Sequence, residues 1–243
     1  MNADKSLDLA SIRDAFPERR IVYYDTVDST MTAAAGLEPG SVVIAGEQTA
    51  GQGRHGHSWH SEAGNGLYVS LVLPPSPVLT LALGLATVEA VAQTTGVACD
   101  LRWPNDLMIG PRKVAGILVQ LVDGRAIAGI GINVNHREFS AELAGEATSL
   151  RLAAGGRDFA LTELVIELLH AIERVVPEDQ ETILRLFTQS SSYAAGRRVT
   201  VALPDGVIEG TTVGLDAAGF LIVRKDDGTD TLILAGGVRA ARS

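Results

Sequence analysis

The sequence pattern changes near Gly196, and this change limits the chain to a two-part architecture. Before it, segments with helical spacing of apolar residues alternate with short apolar runs typical of strands. After it, short strand-like runs separated by Gly- or Pro-containing turns cover residues 198–203, 207–213, 220–224 and 231–234. Closely spaced strands without helices are typical of a small barrel. We therefore predict an α/β domain over residues 1–194 and a small β-barrel over residues 195–243.

The longer part of the chain has the elements of a mixed α/β domain. Strands are predicted at residues 21–25, 41–46, 67–73, 107–109, 113–122 and 126–134. Helices are predicted at residues 30–37, 80–95, 161–176 and 183–187. Asp123-Gly124 lies between the last two strands and favours a type I′ hairpin turn.

The composition argues against nucleic-acid and membrane functions. A formal net charge of −9 disfavours binding to a polyanion, because neutralising phosphates needs clustered Lys and Arg. The most apolar stretch, residues 71–92, is interrupted by prolines and Glu89, so no segment is predicted to cross a bilayer. The single cysteine, Cys99, cannot form an internal disulfide. We expect a soluble, cytoplasmic protein that binds neither DNA nor membranes.

A glycine-rich segment, GQGRHG at residues 51–56, is the first candidate functional loop. Glycines at this spacing let backbone N–H groups approach an anion closely, and Arg54 adds a fixed positive charge. A dinucleotide-binding fingerprint would open a helix here, whereas a loop composition follows. The signatures of a protein kinase are also missing. On its own, the segment leaves an anion-binding loop and an ordinary surface loop open.

The second candidate segment is RWPNDL at residues 102–107, followed at short range by KVAGIL at residues 113–118. Asn105-Asp106 favours a turn that presents polar side chains at a sheet edge. Lys113 begins an apolar strand, so its ammonium would lie at the rim of the sheet, where it could stabilise negative charge on a phosphate or carboxylate. Gly116 would let a ligand approach the strand backbone. A solvated lysine beside a structural turn is the alternative.

Three nearby histidines, His55, His57 and His60, could be interpreted as a metal site. Only Glu62 adds a donor at a suitable spacing, and no cysteine does. A glycine-rich anion loop explains the same stretch, so we predict no certain protein metal site.

Four segments taken together resemble the biotin–protein ligases. QTAGQGR at residues 48–54, with Trp59 downstream, is similar to the glycine-rich signature of that family. The RWPND and KVAGIL segments are similar to its second signature, and DST at residues 28–30 and GIGINV at residues 129–134 agree in order and spacing. The resemblance covers about residues 20–240. It implies a mixed β-sheet catalytic domain of the class II synthetase type, flanked by helices, and a C-terminal SH3-like barrel.

The resemblance also implies which residues bind the substrates. The implied biotin-binding residues are Ser29, Thr30, Gln48, Gly51, Gly53, Arg54, Lys113 and Gly116, with Ile117 and Leu118 along the apolar part of biotin. The implied ATP- or adenylate-binding residues are Gly53, Arg54, Trp59, Asn105, Asp106, Lys113 and Asn133. Lys113 and Arg54 are implied to be catalytic. Whether Asp106 orients Lys113 or a magnesium ion is left open.

The implied reaction has two steps. ATP and biotin give biotinyl-5′-AMP and pyrophosphate, and a lysine of a biotin carboxyl carrier protein then receives the biotin. Mg²⁺ is expected as MgATP, because pyrophosphate needs charge neutralisation to leave. Lipoate–protein ligases perform the same chemistry on a related fold, and the presence of both the glycine-rich loop and the WPND motif favours biotin. The sequence does not decide between a monomer and a homodimer.

Two other classes of protein fit the sequence less well. A bifunctional ligase and repressor would need an N-terminal DNA-binding module, and the residues before Ile21 are too few for a helix-turn-helix domain, so the short form is expected. A non-catalytic biotin-binding protein would not need Lys113, Arg54 and Trp59 together.

The sequence also departs from the family at three positions. Met31 stands where family members often have Asn, and Gln52 and His57 stand where Arg is common. These departures leave the strength of individual biotin and phosphate contacts open.

Overall fold

The computed structural model describes residues 7–203 and 206–241, and its larger domain is built on a seven-stranded sheet. The ends of the two predicted domain ranges, residues 1–6 and 242–243, lie outside the described residues. The strands are β1 (Ile21–Val27), β2 (Val42–Gln48), β3 (Gly66–Leu73), β4 (Asp100–Arg102), β5 (Asp106–Ile109), β6 (Arg112–Val122) and β7 (Arg125–Asn133). Their order is β1-β2-β3-β7-β6-β5-β4. Because β1 and β2 run parallel and the other neighbours antiparallel, the predicted mixed sheet is confirmed.

Helices cover both faces of this sheet. They are α1 (Leu9–Ala15), α2 (Thr30–Ala35), α3 (Leu79–Thr95), α4 (Leu150–Ala153), α5 (Leu161–Val175) and α6 (Gln180–Ser190). Successive residues of a strand point to opposite faces. Thus Val42 and Ile44 join the main core with α3 and α5, whereas Val43 packs with Met31 and Ala34 of α2. Within residues 7–203 and 206–241, no helix is long and apolar enough to cross a membrane.

The alternation along β7 explains where a binding site can form. Ile130 and Ile132 point into the main core. Ile127 points to the opposite face and packs with α2. Gly129 and Gly131 follow Ile127 at intervals of two residues and therefore lie on that same face. The α2 face thus changes from apolar side chains to bare backbone along one strand.

The β6–β7 hairpin turn has the conformation that the sequence predicted. Asp123 has a φ of 49° and Gly124 a φ of 75°. Two consecutive positive φ values are the requirement of a type I′ turn, which Asp-Gly satisfies with little strain. This turn fixes the register of β6 against β7, including the pair Gly116 and Gly131.

The C-terminal domain is a five-stranded antiparallel sheet. Its strands are β8 (Ala195–Leu203), β9 (Gly206–Leu215), β10 (Leu221–Arg224), β11 (Asp230–Ile233) and β12 (Gly237–Ala240), in the order β11-β10-β9-β8-β12. The first four correspond to the predicted strands, and β12 was not predicted. Across residues 195–203 and 206–241, β11 and β12 are the two edges and are not paired with each other, so the sheet is not closed into a barrel there.

Candidate active site

A groove on the α2 face of the large sheet collects most of the predicted site residues. It lies between the start of α2, the end of β2, the glycine-rich loop and strands β6 and β7. Its lining residues are Ser29, Thr30, Met31, Gln48, Gln52, Gly53, Arg54, Trp59, Asn105, Lys113, Gly116, Ile117, Leu118, Gly129, Ile130 and Gly131. Segments that are far apart in the sequence therefore meet here.

At one end of the groove, hydrogen bonds fix the amide of Gln48. Its Oε1 accepts from the backbone N of Thr30 at 2.8 Å and from Thr30 Oγ1 at 3.0 Å. Its Nε2 donates to Ser61 Oγ at 2.9 Å, and Ser70 Oγ donates to Thr30 Oγ1 at 2.8 Å. An amide nitrogen has two hydrogens, so Gln48 retains one donor for a ligand. Ser61 and Ser70 were not predicted, because single serines carry no sequence signal.

The start of α2 supplies the other polar group at this end. Ser29 is the N-cap residue, and its Oγ accepts from the backbone N of Met31 at 3.3 Å. The Ser29 hydroxyl accepts a hydrogen bond from a free backbone N–H at the start of the helix and can still donate its own hydrogen to a ligand. Ser29, Thr30 and Gln48 together present matched donors and acceptors beside the apolar Met31.

Glycines form the floor of the groove. Gly116 of β6 pairs with Gly131 of β7, and the indole of Trp59 lies directly on both. A Cβ atom at Gly131 would be 2.5 Å from Trp59 Nε1, and one at Gly116 would be 2.8 Å from the Nζ of Lys113. Likewise, a Cβ at Gly129 would be 2.8 Å from the sulfur of Met31. No side chain larger than hydrogen fits at these positions without moving the groove residues. The alternation that continues from Ile127 could have identified Gly129 and Gly131 from the sequence.

A carboxylate shared by two cations lies beside the groove. Asp106 Oδ1 is 2.6 Å from the Nζ of Lys113, and Oδ2 is 2.6 Å from Nη2 of Arg102. Burial alone would raise the pKa of Asp106, but attraction to Lys113 and Arg102 outweighs it, and the pKa lies below its ordinary value. Asp106 is therefore ionised at neutral pH. Lys113 Nζ also lies 5.3 Å from the ring centre of Trp59, within reach of a cation–π contact.

Arg54 brings a second cation into the groove from the glycine-rich loop. It begins a single 3₁₀ turn, Arg54–Gly56, and its Nη1 donates to Asn105 Oδ1 at 3.0 Å. Burial lowers the pKa of the Arg54 guanidinium from its ordinary value, and the charge of Asp106 opposes this shift. An arginine stays charged at neutral pH even so. Asn105 itself is held by its Nδ2, which donates to the carbonyl of Ile117 at 3.0 Å.

The other predicted residues lie next to the groove rather than along it. The carbonyl oxygen of Gly51 accepts from the backbone N of Trp59 at 2.8 Å. The amide of Asn133 is buried and donates to the carbonyl of Thr148 at 3.1 Å. Among the described side chains, which leave out His55, no group of three His, Cys, Asp or Glu residues is placed to hold a metal ion.

The sequence matches two family descriptions over two separate parts of the chain. Residues 23–136 match the Biotin/lipoate A/B protein ligase family. Residues 195–238 match the Biotin protein ligase C terminal domain. The first match contains the glycine-rich loop, most of β1 and strands β2 to β7, and the second contains β8 to β11 and the start of β12.

Individual relatives match over most of the chain. The chain is 32% identical to the Bifunctional ligase/repressor BirA of Bacillus subtilis over 231 residues, which is 86% of this chain and 71% of that protein. It is 32% identical to the Biotin–[acetyl-CoA-carboxylase] ligase of Mycobacterium tuberculosis over 225 residues, covering 86% and 82% of the two chains. A solved structure, the biotin protein ligase from Aquifex aeolicus in complex with biotin and ATP, superimposes with a TM-score of 0.81 at 32% identity. That alignment covers 92% of this chain and 99% of the other.

Proposed function

The chain belongs to the biotin protein ligase family, and we propose that its groove carries out both steps of an ATP-dependent biotinylation. In the first step, a carboxylate oxygen of biotin attacks the α-phosphorus of ATP, and the bond to the departing pyrophosphate breaks. In the second step, the amine of an acceptor lysine attacks the acyl carbon of biotinyl-5′-AMP, and AMP leaves. The observation that carries this proposal is that a neutral polar pocket and two cations, Lys113 and Arg54, line one groove.

The end of the groove at α2 suits the ureido ring of biotin. This ring is neutral and needs both donors and acceptors, since an unmatched buried polar group costs free energy. Ser29 Oγ and the remaining N–H of Gln48 supply them, while Thr30 holds the Gln48 amide in place. The valeryl chain would then run beside Gly116, which has no side chain, next to the Lys113 ammonium and the Trp59 ring that lie against this glycine.

Lys113 is placed to stabilise the reacting centre. Biotin carboxylate and the α-phosphate are both anions, so a fixed ammonium between them lowers their repulsion and stabilises the charge that develops. Asp106 holds that ammonium at 2.6 Å and therefore acts as the positioning group for Lys113. Of the two roles left open for Asp106, we propose that it orients Lys113 and does not bind a magnesium ion.

The glycine-rich loop is proposed to hold the nucleotide. Arg54 offers a guanidinium to the phosphate, and the backbone N–H groups around Gly53 can approach it closely. Trp59 offers a flat ring to the adenine. Asn133 remains a proposed nucleotide contact, which would require its amide to exchange Thr148 for the ligand.

Magnesium is proposed to enter with the phosphates of ATP. Mg²⁺ in phosphoryl-transfer sites is commonly held by one or two carboxylates together with substrate oxygens. Both oxygens of Asp106 already contact cations, Lys113 and Arg102, so this carboxylate does not fit as a ready metal ligand.

The acceptor is proposed to be a lysine of a biotin carboxyl carrier protein. One relative is named for biotin ligation to acetyl-CoA-carboxylase, which supports a carboxylase subunit as the acceptor. Lipoate is the competing substrate, since the N-terminal match is shared by biotin and lipoate ligases. The C-terminal match is to biotin protein ligases and favours biotin.

One assay separates these alternatives. The full chain is incubated with ATP and Mg²⁺ and with either biotin or lipoate, and the adenylate is detected by mass spectrometry. We expect biotinyl-5′-AMP from biotin and only traces of product from lipoate. Adding a carrier domain should then produce a biotinylated lysine. Equal or greater adenylation of lipoate would contradict the assignment of the substrate, and no adenylate from either acid would contradict the proposed reaction.

A further inference from the structure

A buried hydrogen bond connects the C-terminal domain to the segment that carries Asn105. The indole of Trp103 is 3% exposed, and its Nε1 donates to the carbonyl oxygen of Gly219 at 2.9 Å. Gly219 lies in the turn between β9 and β10, residues 216–220, which we call the docking turn. Trp103 is followed by Pro104 and then by Asn105, which lines the groove of the catalytic domain. The C-terminal domain therefore contacts a residue two positions away from the groove.

The docking turn is held in place from both sides. Asp216 Oδ1 accepts from the backbone N of Ala218 at 2.9 Å and of Phe220 at 2.8 Å. A Cβ at Gly219 would lie 3.2 Å from Leu81 of α3 and 3.3 Å from Leu184 of α6, so the turn rests directly on these two helices. The direction of the Gly219 carbonyl is thus fixed by contacts within the turn and by its packing.

On the other side of Trp103, Asn105 is at the centre of three hydrogen bonds. Its backbone oxygen accepts from Ile117 N at 2.9 Å, and its Nδ2 donates to the Ile117 carbonyl at 3.0 Å. Its Oδ1 accepts from Arg54 Nη1 at 3.0 Å. Such bonds weaken steeply as their distances and angles change. A small shift of Trp103 would therefore change how Arg54 is held.

We propose that Trp103 is a positioning residue, through which the docking turn of the C-terminal domain sets the position of Asn105 and, through Asn105, of Arg54. This inference rests on the proposed function, because Arg54 matters here as the group that holds the adenylate. The C-terminal domain then controls how long the intermediate stays bound without contacting it.

The test measures how fast preformed biotinyl-5′-AMP leaves the full-length protein. Trp103→Phe keeps an aromatic ring but removes the indole N–H, and Asp216→Ala removes the carboxylate that accepts from two backbone N–H groups of the docking turn. Each should accelerate release about fivefold, the change expected from loss of one neutral hydrogen bond. Asp216→Asn keeps an acceptor oxygen and should release at nearly the wild-type rate. The affinity for biotin alone should stay unchanged in all three variants.

Two further variants separate positioning from general destabilisation. Val199→Ala shortens a buried side chain of β8, so it should lower thermal stability without accelerating release. In an Arg54→Gly background, Trp103→Phe should add no further acceleration, because the group that it positions is gone.

Equal acceleration in both backgrounds, or wild-type release in Trp103→Phe and Asp216→Ala, would overturn the inference. If Trp103→Phe does not fold, the comparison of Asp216→Ala with Asp216→Asn tests the inference in its place. A wild-type protein that makes no adenylate would overturn the proposed function and this inference with it, whereas normal adenylate with unchanged release overturns the inference alone.

Discussion

The ammonium of Lys113 and the carboxylate of Asp106 form an ion pair at 2.6 Å, next to the backbone of two facing glycines. Asp106 holds a second cation, Arg102, on its other oxygen. One ionised carboxylate thus fixes two positive groups, and only Lys113 lines the groove. In the proposed reaction, this asymmetry leaves Lys113 available to substrate while Arg102 helps to hold Asp106.

Replacing Lys113 with alanine should reduce adenylate formation by about a hundredfold or more, since fixed charges at a reacting centre contribute on this scale. The fold should be retained, because the side chain is at the edge of the groove. Adenylate formation is followed by mass spectrometry or pyrophosphate release, and circular dichroism checks the fold. Lys225→Ala, in the C-terminal domain, serves as the control. Near-normal adenylation by folded Lys113→Ala would remove Lys113 from the catalytic residues.

Asp106→Asn should destabilise the protein by about 2 kcal/mol at pH 7, because two cations lose a shared, partly buried partner. The folded-state pKa of Asp106 lies below its ordinary value of 3.8. Its stabilising contribution is therefore full above about pH 4 and is lost as the pH falls through the folded-state pKa. Urea unfolding at pH 7 and at acidic pH measures the difference between wild type and variant. A difference that does not shrink at acidic pH would show that ionised Asp106 is not its source.

Gly131→Ala should impair nucleotide-dependent steps more than biotin binding. Its Cβ would lie 2.5 Å from the Trp59 ring, so the ring must leave its present position. Adenylate formation should fall at least about fivefold, the effect expected from loss of one aromatic stacking contact. Gly145→Ala is the matched control, because a Cβ there meets nothing within 4 Å. Equal activity of the two variants would mean that adenylate formation does not depend on the position of the Trp59 ring.

The segment between β2 and β3, residues 49–65, which contains the glycine-rich loop, should become more ordered when substrates bind. It has few apolar anchors besides Trp59, so little burial offsets its backbone entropy. Hydrogen exchange of this segment with and without biotin and ATP measures the ordering, and protection from exchange should rise when both substrates are present.

Arg54→Gly should still make some adenylate, since Lys113 remains, but should release the adenylate faster than the wild type. Equal protection in both states, or wild-type retention by the mutant, would leave the loop as a static binding segment.

Cys99 should resist alkylation in the folded protein. Burial raises the pKa of its thiol to about 12, and the charge of Asp100 adds to this effect. The thiolate is the reactive form, so at pH 8 the folded protein should react with iodoacetamide roughly a hundredfold or more slowly than the unfolded chain. Mass spectrometry of native and urea-treated samples measures the ratio. Similar rates in both samples would place Cys99 at an open surface.

The sequence predicted the elements that have strong local patterns. The Asp123-Gly124 turn and the long stripe of α5 were confirmed. It did not predict α1, a seven-residue helix that begins after Asp8, because so short a helix depends on tertiary packing. It also did not predict β4, whose three residues are too few to show alternation, or β12, whose sequence Gly-Val-Arg-Ala has only one large apolar side chain.

The sequence motifs predicted many of the residues that line the groove but not the contacts between them. Lys113 and Arg54 follow from their motifs, whereas the ion pair of Asp106 with Lys113 depends on how β5 pairs with β6. The contact of Trp59 with Gly131 joins a loop residue to a strand residue, so the sequence pattern of neither segment predicts it. Contacts of this kind arise from the tertiary fold.

Gly116 and Gly131 face each other across neighbouring strands, and this pair has a consequence for the stability of the molecule. A cross-strand pair of side chains contributes roughly 0.2–1 kcal/mol, and this pair has none. The sheet therefore has a local packing defect at its centre, which Trp59 fills from outside the sheet. A molecule bound in the groove would pack beside Trp59 over this defect and bury apolar surface there, so tight ligands should raise the melting temperature. Evolution toward a more stable free protein would favour larger residues at these two positions, and the same residues would close the groove.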